Sequence, residues 1–128
     1  MCLDPSRNQS AGFKGRQIKQ ALANKDIDLL GEAIEHEIFS LHGVAMTSFP
    51  PVLHWDKDTA EILHATAELR ERGISVYATI DAGPNVHLIT ESKNLNKLVK
   101  RFKKNRFIKN MYKSPVGQGA KITKKHLF

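Results

Sequence analysis

The chain has a single cysteine, Cys2, so no intrachain disulfide can form. That suits a reducing compartment, and a cytoplasmic location is expected. No apolar run approaches the ~20 residues that span a bilayer, and no apolar stretch follows the start in the manner of a secretion signal. A membrane partner is therefore not expected. Internal repeats and low-complexity tracts are absent. So are a Gly-x-x-x-x-Gly-Lys-Ser/Thr loop and a Gly-Leu-x-Ser-Ser stretch, either of which could cradle nucleotide phosphates. Metal-ligand spacing is missing too. His36 has Glu35 and Glu37 beside it, but adjacent helical residues point to different faces and do not converge.

What is present is enough for one core. A length of 128 residues, 41% of them apolar, suits a single folded domain and not a disordered chain. The net charge of +7 is unevenly spread. From Glu91 to Phe128, 12 Lys and Arg face one acid, whereas the first 90 residues hold 8 bases and 12 acids, a net of −4. The excess positive charge thus belongs to the C-terminal third. Between Lys93 and Lys113 the bases alternate with Phe102, Phe107 and Tyr112, a composition able to engage phosphates and stack bases. Phe102 falls on an apolar helical stripe, however, so a core aromatic with solvated lysines is the simpler account. Steeply salt-dependent binding to RNA or DNA would favour the nucleic-acid reading.

Along the chain, residues 1–12 read as a polar, loose segment and residues 13–128 as the domain proper. Ile18, Ala21 and Leu22 suggest a short helix from Phe13, broken at Asn24-Lys25, with Asp26 suited to cap the next. Ile27, Leu30, Ile34, Ile38, Leu41 and Ala45 then recur at spacings of three and four, one apolar stripe on a helix. Glu32, Glu35, His36 and Glu37 fall on or near its other faces, and Pro50-Pro51 stops any continuation of the helix. Trp55 is expected in the core or on a cleft wall. Asp58 and Glu61 form a capping-box pattern for a helix carrying Ile62, Leu63, Thr66 and Leu69, with Gly73 at its C′ position. A basic helix with Leu95, Leu98, Val99 and Phe102 inward starts near Glu91. Phe107–Tyr112 and Ala120–Thr123 read as strands on either side of a turn-rich connector.

The organising stretch lies between those helices. Val76 to Ile80 and Val86 to Thr90 are rich in β-branched residues and flank Asp81-Ala82-Gly83-Pro84-Asn85. That predicts two strands joined by a stiff loop, since Pro84 fixes its own φ and Gly83 and Asn85 tolerate positive φ. Asp81 is an acid placed where an apolar strand meets the loop. On loop chemistry alone its role as a turn former comes first. The alternative is a carboxylate held on a rigid mount beside freed backbone amides. Three helices, two strands, a helix and further strands make an α+β fold, with helices mainly on one face of a small antiparallel sheet.

The loop, with Tyr77-x-Thr79-Ile80 before it and Val86 after, resembles the signature of the mevalonate diphosphate decarboxylases. These belong to the superfamily of galactokinase, homoserine kinase, mevalonate kinase and phosphomevalonate kinase. Leu41-His42 followed by Ser48-Phe49-Pro50-Pro51 is similar to a second family pattern, a His near a helix end and then a Pro-Pro break. Where that pattern has an acid-Ser-Asn run before the His, this chain has Glu35-His36-Glu37. The resemblance covers roughly residues 26–90. It implies the ferredoxin-like C-terminal half of the superfamily fold, with the N-terminal ATP-binding half supplied elsewhere or as a separate chain.

The resemblance further implies an ATP- and Mg²⁺-dependent decarboxylation of mevalonate 5-diphosphate to isopentenyl diphosphate. Asp81 would be catalytic, Ala82 and Gly83 would let substrate approach the loop backbone, and His42, Ser48 and Asn85 would support the site. The isolated chain is expected to be inactive, and a homodimer is allowed. A decarboxylase of the monophosphate and a non-catalytic partner-binding module are the alternatives. A mevalonate kinase relative that stops after phosphorylation would lack the acid in this place.

Overall fold

The computed structural model describes residues 5–122. Its elements in order are α1 (Pro5–Asn24), α2 (Ile27–Met46), α3 (Lys57–Glu71), β1 (Val76–Ile80), β2 (Val86–Thr90) and α4 (Leu95–Phe102), the last entered through a 3₁₀ turn at Ser92–Asn94. The fold is α+β, with one antiparallel hairpin as the sheet among the described residues. Val76 pairs with Thr90, Ala78 with Leu88 and Ile80 with Val86. Among the described residues no helix is long and apolar enough to cross a membrane.

Local chemistry explains most of the boundaries. Asp26 caps α2 by accepting from the amides of Asp28 (3.1 Å) and Leu29 (2.9 Å), just after Lys25 turns the chain at φ 55°. Helix α3 ends with Gly73 at φ 77°, whose N–H donates to Arg70 O while that of Ile74 donates to Leu69 O. This left-handed C′ glycine satisfies two carbonyls of the last turn. The cap of α3 is Asp56 rather than Asp58: its carboxylate accepts from the amide of Thr59 at 2.8 Å. That bond, followed by one from the Thr59 hydroxyl, holds the Asp56 carboxyl below its ordinary range.

Three other expectations change. Helix α1 begins at Pro5, so residues 5–12 of the segment expected to be loose are helical; residues 1–4 lie outside the described part. Phe107–Tyr112 and Ala120–Ile122 are not strands, and Thr123 lies outside the described residues. The reason is pairing: a strand needs a neighbour for its backbone groups, and the hairpin extends no ladder to either segment. Finally, the face that α2 turns to the sheet is not the apolar stripe. Asp28, Gly31, Glu35 and His42, also at helical spacings, meet β1, while Leu41 of the stripe stays 43% exposed.

The core lies against β1. Val76 packs with Ala65 and Leu69 of α3 and with Leu98 and Phe102 of α4, and Ile62, Ile74, Leu88 and Ile108 close around them. Phe102 is 3% exposed, a core residue, while the lysines of α4 stay outside. Gly31 lets α2 sit close: a Cβ there would lie 1.9 Å from Cγ of Tyr77. The Tyr77 hydroxyl donates to Asp28 at 3.0 Å, and the Arg70 guanidinium lies 5.1 Å from its ring centroid. Burial, then the bond to Asp28, pushes the Tyr77 hydroxyl up to about 12.

Candidate functional site

The hairpin loop stands where β1 ends, and three elements hold it. Ile80, wholly buried, anchors the chain immediately before Asp81. Its carbonyl accepts from Nε2 of His42 on α2 at 3.1 Å, a contact that requires the proton on Nε2. The His42 ring is itself clamped. It is 2% exposed, 4.9 Å from the Trp55 ring and 5.6 Å from that of His54, and Trp55 meets Phe39 edge-on at 5.7 Å. Within the loop, Gly83 N–H donates to Asp81 O at 2.9 Å. At the far side the buried Thr59 hydroxyl lies 3.0 Å from Pro84 O and 2.9 Å from Asp56 Oδ1, its one proton shared between them. The N-terminus of α3 is thereby pinned to the loop.

The Asp81 side chain differs from all of these. It is exposed, and its carboxylate has no hydrogen bond or ion pair among the described residues. A turn former would direct that carboxylate to a nearby amide; here the turn is closed by its backbone oxygen instead. Gly83 has no positive φ and a Cβ there would meet nothing within 4 Å, so neither backbone conformation nor packing within the chain requires glycine at this position.

The other expected site residues divide. His42 reaches the residue before Asp81 and belongs to the mount. Ser48 does not: its hydroxyl, at 2.8 Å from Ala45 O and 2.9 Å from Pro50 O, ties the end of α2 to the Pro-Pro segment. The Asn85 side chain is exposed and makes no hydrogen bond among the described residues, so Thr59 holds the loop in its place. Sequence reasoning misses Thr59, although the Asp56-x-x-Thr59 spacing is itself an N-cap signal. Helical periodicity puts Glu35 on a solvated face. Its carboxylate instead accepts from Arg70 Nη1 and from the amide of Ala78, both at 2.8 Å, with the side chain 12% exposed.

Two surface grooves of the chain do not include Asp81. One, about 310 Å³, runs between α3 and the chain after α4, past His64, Glu68 and Arg101. The other, about 290 Å³, lies between α2 and α3 over Phe39, Trp55 and Leu63. Among the described residues no three His, Cys, Asp or Glu side chains converge as a metal site. The loop offers a free carboxylate and an approachable backbone, the equipment for orienting a hydroxyl and accepting its proton.

Known proteins resemble this chain in sequence and in fold. The family model for the mevalonate 5-diphosphate decarboxylase C-terminal domain matches residues 9–126. The diphosphomevalonate decarboxylase of Debaryomyces hansenii is 29% identical over 84 residues, which are 64% of this chain and 22% of the relative. The phosphomevalonate decarboxylase of Haloferax volcanii is 28% identical over 82 residues, 63% of this chain and 25% of the relative. Among solved structures, the mevalonate diphosphate decarboxylase from Enterococcus faecalis, studied for its mevalonate diphosphate mediated ATP binding mechanism, is similar with a TM-score of 0.74 and 32% identity. That match covers 79% of this chain and 31% of the other. The chain spans about a quarter of the length of these curated relatives. With the family model matched over nearly all its length, the chain belongs to the family of mevalonate 5-diphosphate decarboxylase C-terminal domains.

Proposed function

We propose that this domain serves an ATP-dependent decarboxylase that converts mevalonate 5-diphosphate to isopentenyl diphosphate, with Asp81 as its catalytic acid–base residue. One observation carries the reading. Asp81 is the loop's carboxylate, and it is left unbonded on a mount whose neighbouring backbone is tied at Ile80 and Pro84. The tertiary hydroxyl of the substrate is a poor nucleophile and a worse leaving group. Asp81 orients it and accepts its proton as its oxygen takes the phosphoryl group from ATP. The new phosphate then leaves while the bond to the carboxylate carbon breaks, and that electron pair forms the double bond as CO₂ departs. Ala82 and Gly83 admit the substrate against the loop backbone. His42 acts through Ile80, as a positioning residue.

ATP and Mg²⁺ belong, in this reading, to an N-terminal half or a separate ATP-binding chain, and no step passes through a group held by these residues. The 128-residue chain is expected to be inactive alone, and ATP turnover by it would overturn that part. The main test is CO₂ release from mevalonate 5-diphosphate by the complete enzyme carrying this domain. Asp81→Asn is expected to lower the rate by about 10³-fold, within the span general-base removal produces. Undiminished turnover would refute the assignment. The likeness to a phosphomevalonate decarboxylase favours a second reading, the monophosphate as substrate. It keeps Asp81 and changes only phosphate contacts, so assaying both substrates side by side separates the two.

A further inference from the structure

The hairpin ladder ends at the pair Ile80–Val86, so the loop carries Asp81 beyond the last rung. Strand pairing therefore fixes where the loop leaves and rejoins the sheet, but not how it is tilted. From outside the loop, the Thr59 hydroxyl reaches it at Pro84 O, 3.0 Å away. Proline has no N–H, so this carbonyl is the one backbone group by which Pro84 can be held. Thr59 is suited to the task. It is 1% exposed, and its β-branched side chain has little rotamer freedom. Its amide donates to Asp56 Oδ1 at 2.8 Å and its hydroxyl lies 2.9 Å from the same oxygen. The first turn of α3 thus fixes where the hydroxyl stands. That hydroxyl has one proton and two acceptors. Asp56 stays ionised far below neutral pH, because the amide and then the hydroxyl of Thr59 hold its carboxyl below its ordinary range. A carboxylate is the stronger acceptor, so Asp56 competes with the loop for the proton.

We propose that Thr59 is a positioning residue for the reaction: its hydroxyl sets the tilt of the loop, and so where the Asp81 carboxylate meets the substrate hydroxyl. His42 fixes the chain one residue before Asp81, at Ile80, and Thr59 fixes it three residues after, at Pro84. With both anchors in place the loop cannot pivot about Ile80. This role rests on Asp81 being the proton acceptor, and it makes the rate depend on a residue that acts through the loop backbone. A misplacement of about 1 Å can cost about 10²-fold in rate, so loss of one anchor of two is expected to cost about tenfold.

The test is CO₂ release from mevalonate 5-diphosphate by the complete enzyme, in single turnovers that separate chemistry from binding and product release. Thr59→Val keeps the shape of the side chain and removes the hydroxyl. It is expected to lower the single-turnover rate about tenfold while steady-state KM values stay within about twofold of the parent. Pro84 is exposed, so water can satisfy its carbonyl in that variant. Thr59→Ser, which keeps the hydroxyl, should recover the rate to within about threefold. Asp56→Asn keeps an oxygen to cap α3 but withdraws the stronger competitor, so the proton moves toward Pro84 O and the rate should hold or rise. With Asp81→Asn already present, Thr59→Val should change the rate by less than about twofold, because no carboxylate is left to position. If Thr59→Val misfolds, Thr59→Ser and Thr59→Ala differ by the hydroxyl alone and give the same comparison. A parent-like rate in Thr59→Val beside a slow Asp81→Asn overturns the role of Thr59 and leaves that of Asp81 standing. An equal loss with and without the Asp81 carboxylate overturns it too, as the mark of a general structural effect. So does an Asp56→Asn rate as low as that of Thr59→Val, which would assign the effect to the helix cap. Undiminished turnover by Asp81→Asn overturns both assignments together.

Discussion

On one edge of the hairpin, three of the backbone groups that β1 turns outward each meet a charged or titratable side chain. Arg70 donates to Val76 O at 2.9 Å, Glu35 accepts from Ala78 N–H at 2.8 Å, and His42 donates to Ile80 O at 3.1 Å. On the other edge β2 turns out as many residues, and among the described residues no side chain is hydrogen-bonded to their outward backbone groups. The first edge is closed by two helices, so its backbone cannot recruit a strand. It also fixes the position of Ile80, and through it Asp81. The second edge is left with ordinary ladder groups and an uncharged sequence. The comparison shows how a small sheet positions a site: side chains that satisfy one edge also hold the loop that edge leads into.

The largest expected effect comes from pushing the closed edge apart. Gly31→Ala forces a Cβ into the Tyr77 ring and should cost about 3 kcal/mol in urea unfolding, outweighing the ~1 kcal/mol that alanine gains in a helix. Stability equal to the parent would show that α2 shifts freely, and the edge would not be rigid. Next is Glu35→Leu, which strands the Ala78 amide and unpairs Arg70. A loss of about 2 kcal/mol is expected, discounted because Arg70 is about one-third exposed. Glu35→Gln, which keeps an acceptor for that amide, should lose less. An equal loss in both variants would assign the effect to the ion pair alone.

Alkaline titration probes the same edge more gently. The Tyr77 hydroxyl is raised in the folded state from its ordinary value near 10 to about 12, by burial first and by the bond to Asp28 second. The folded state therefore holds that proton more tightly than the unfolded one. The contribution is complete below pH 10 and is lost as pH rises from 10 through about 12. Tyr77→Phe should flatten that decline while costing about 1 kcal/mol at neutral pH for the lost hydrogen bond. A variant that declines as steeply as the parent would place the effect elsewhere. The smallest change is expected at the loop: Asp81→Asn should leave unfolding within about 0.5 kcal/mol of the parent, because the carboxylate is unbonded. A larger loss would mean that Asp81 holds the turn, and the catalytic assignment would weaken with it.

Much of this fold is legible in the residues alone. The β-branched runs and the Asp81–Asn85 break locate the hairpin to the residue, since period and turn chemistry agree there. Asp26 and Gly73 likewise mark helix ends by local bonding alone. Glu35 and Thr59 escape a sequence reading for one shared reason. Each is a polar residue whose partner is distant in sequence, Ala78 and Pro84 respectively, and such pairing leaves no periodic trace. The strands expected at Phe107–Tyr112 and Ala120–Thr123 fail from the opposite cause. Their composition favours extension, but a strand exists only where a second backbone pairs with it.

By itself the sequence determined where α2 begins and where α3 ends, where the hairpin turns, and that an acid stands at the mouth of its loop. Those outcomes rest on interactions spanning a few residues, which the order of side chains settles directly. Only the tertiary structure decided that α2 presents Asp28, Gly31, Glu35 and His42 to β1 while its apolar stripe stays partly exposed. It alone decided that Asp81 is left unbonded and that side chains close one edge of the sheet. These are contests between surfaces far apart along the chain. They are resolved by which backbone groups lack a ladder partner once the hairpin and helices meet.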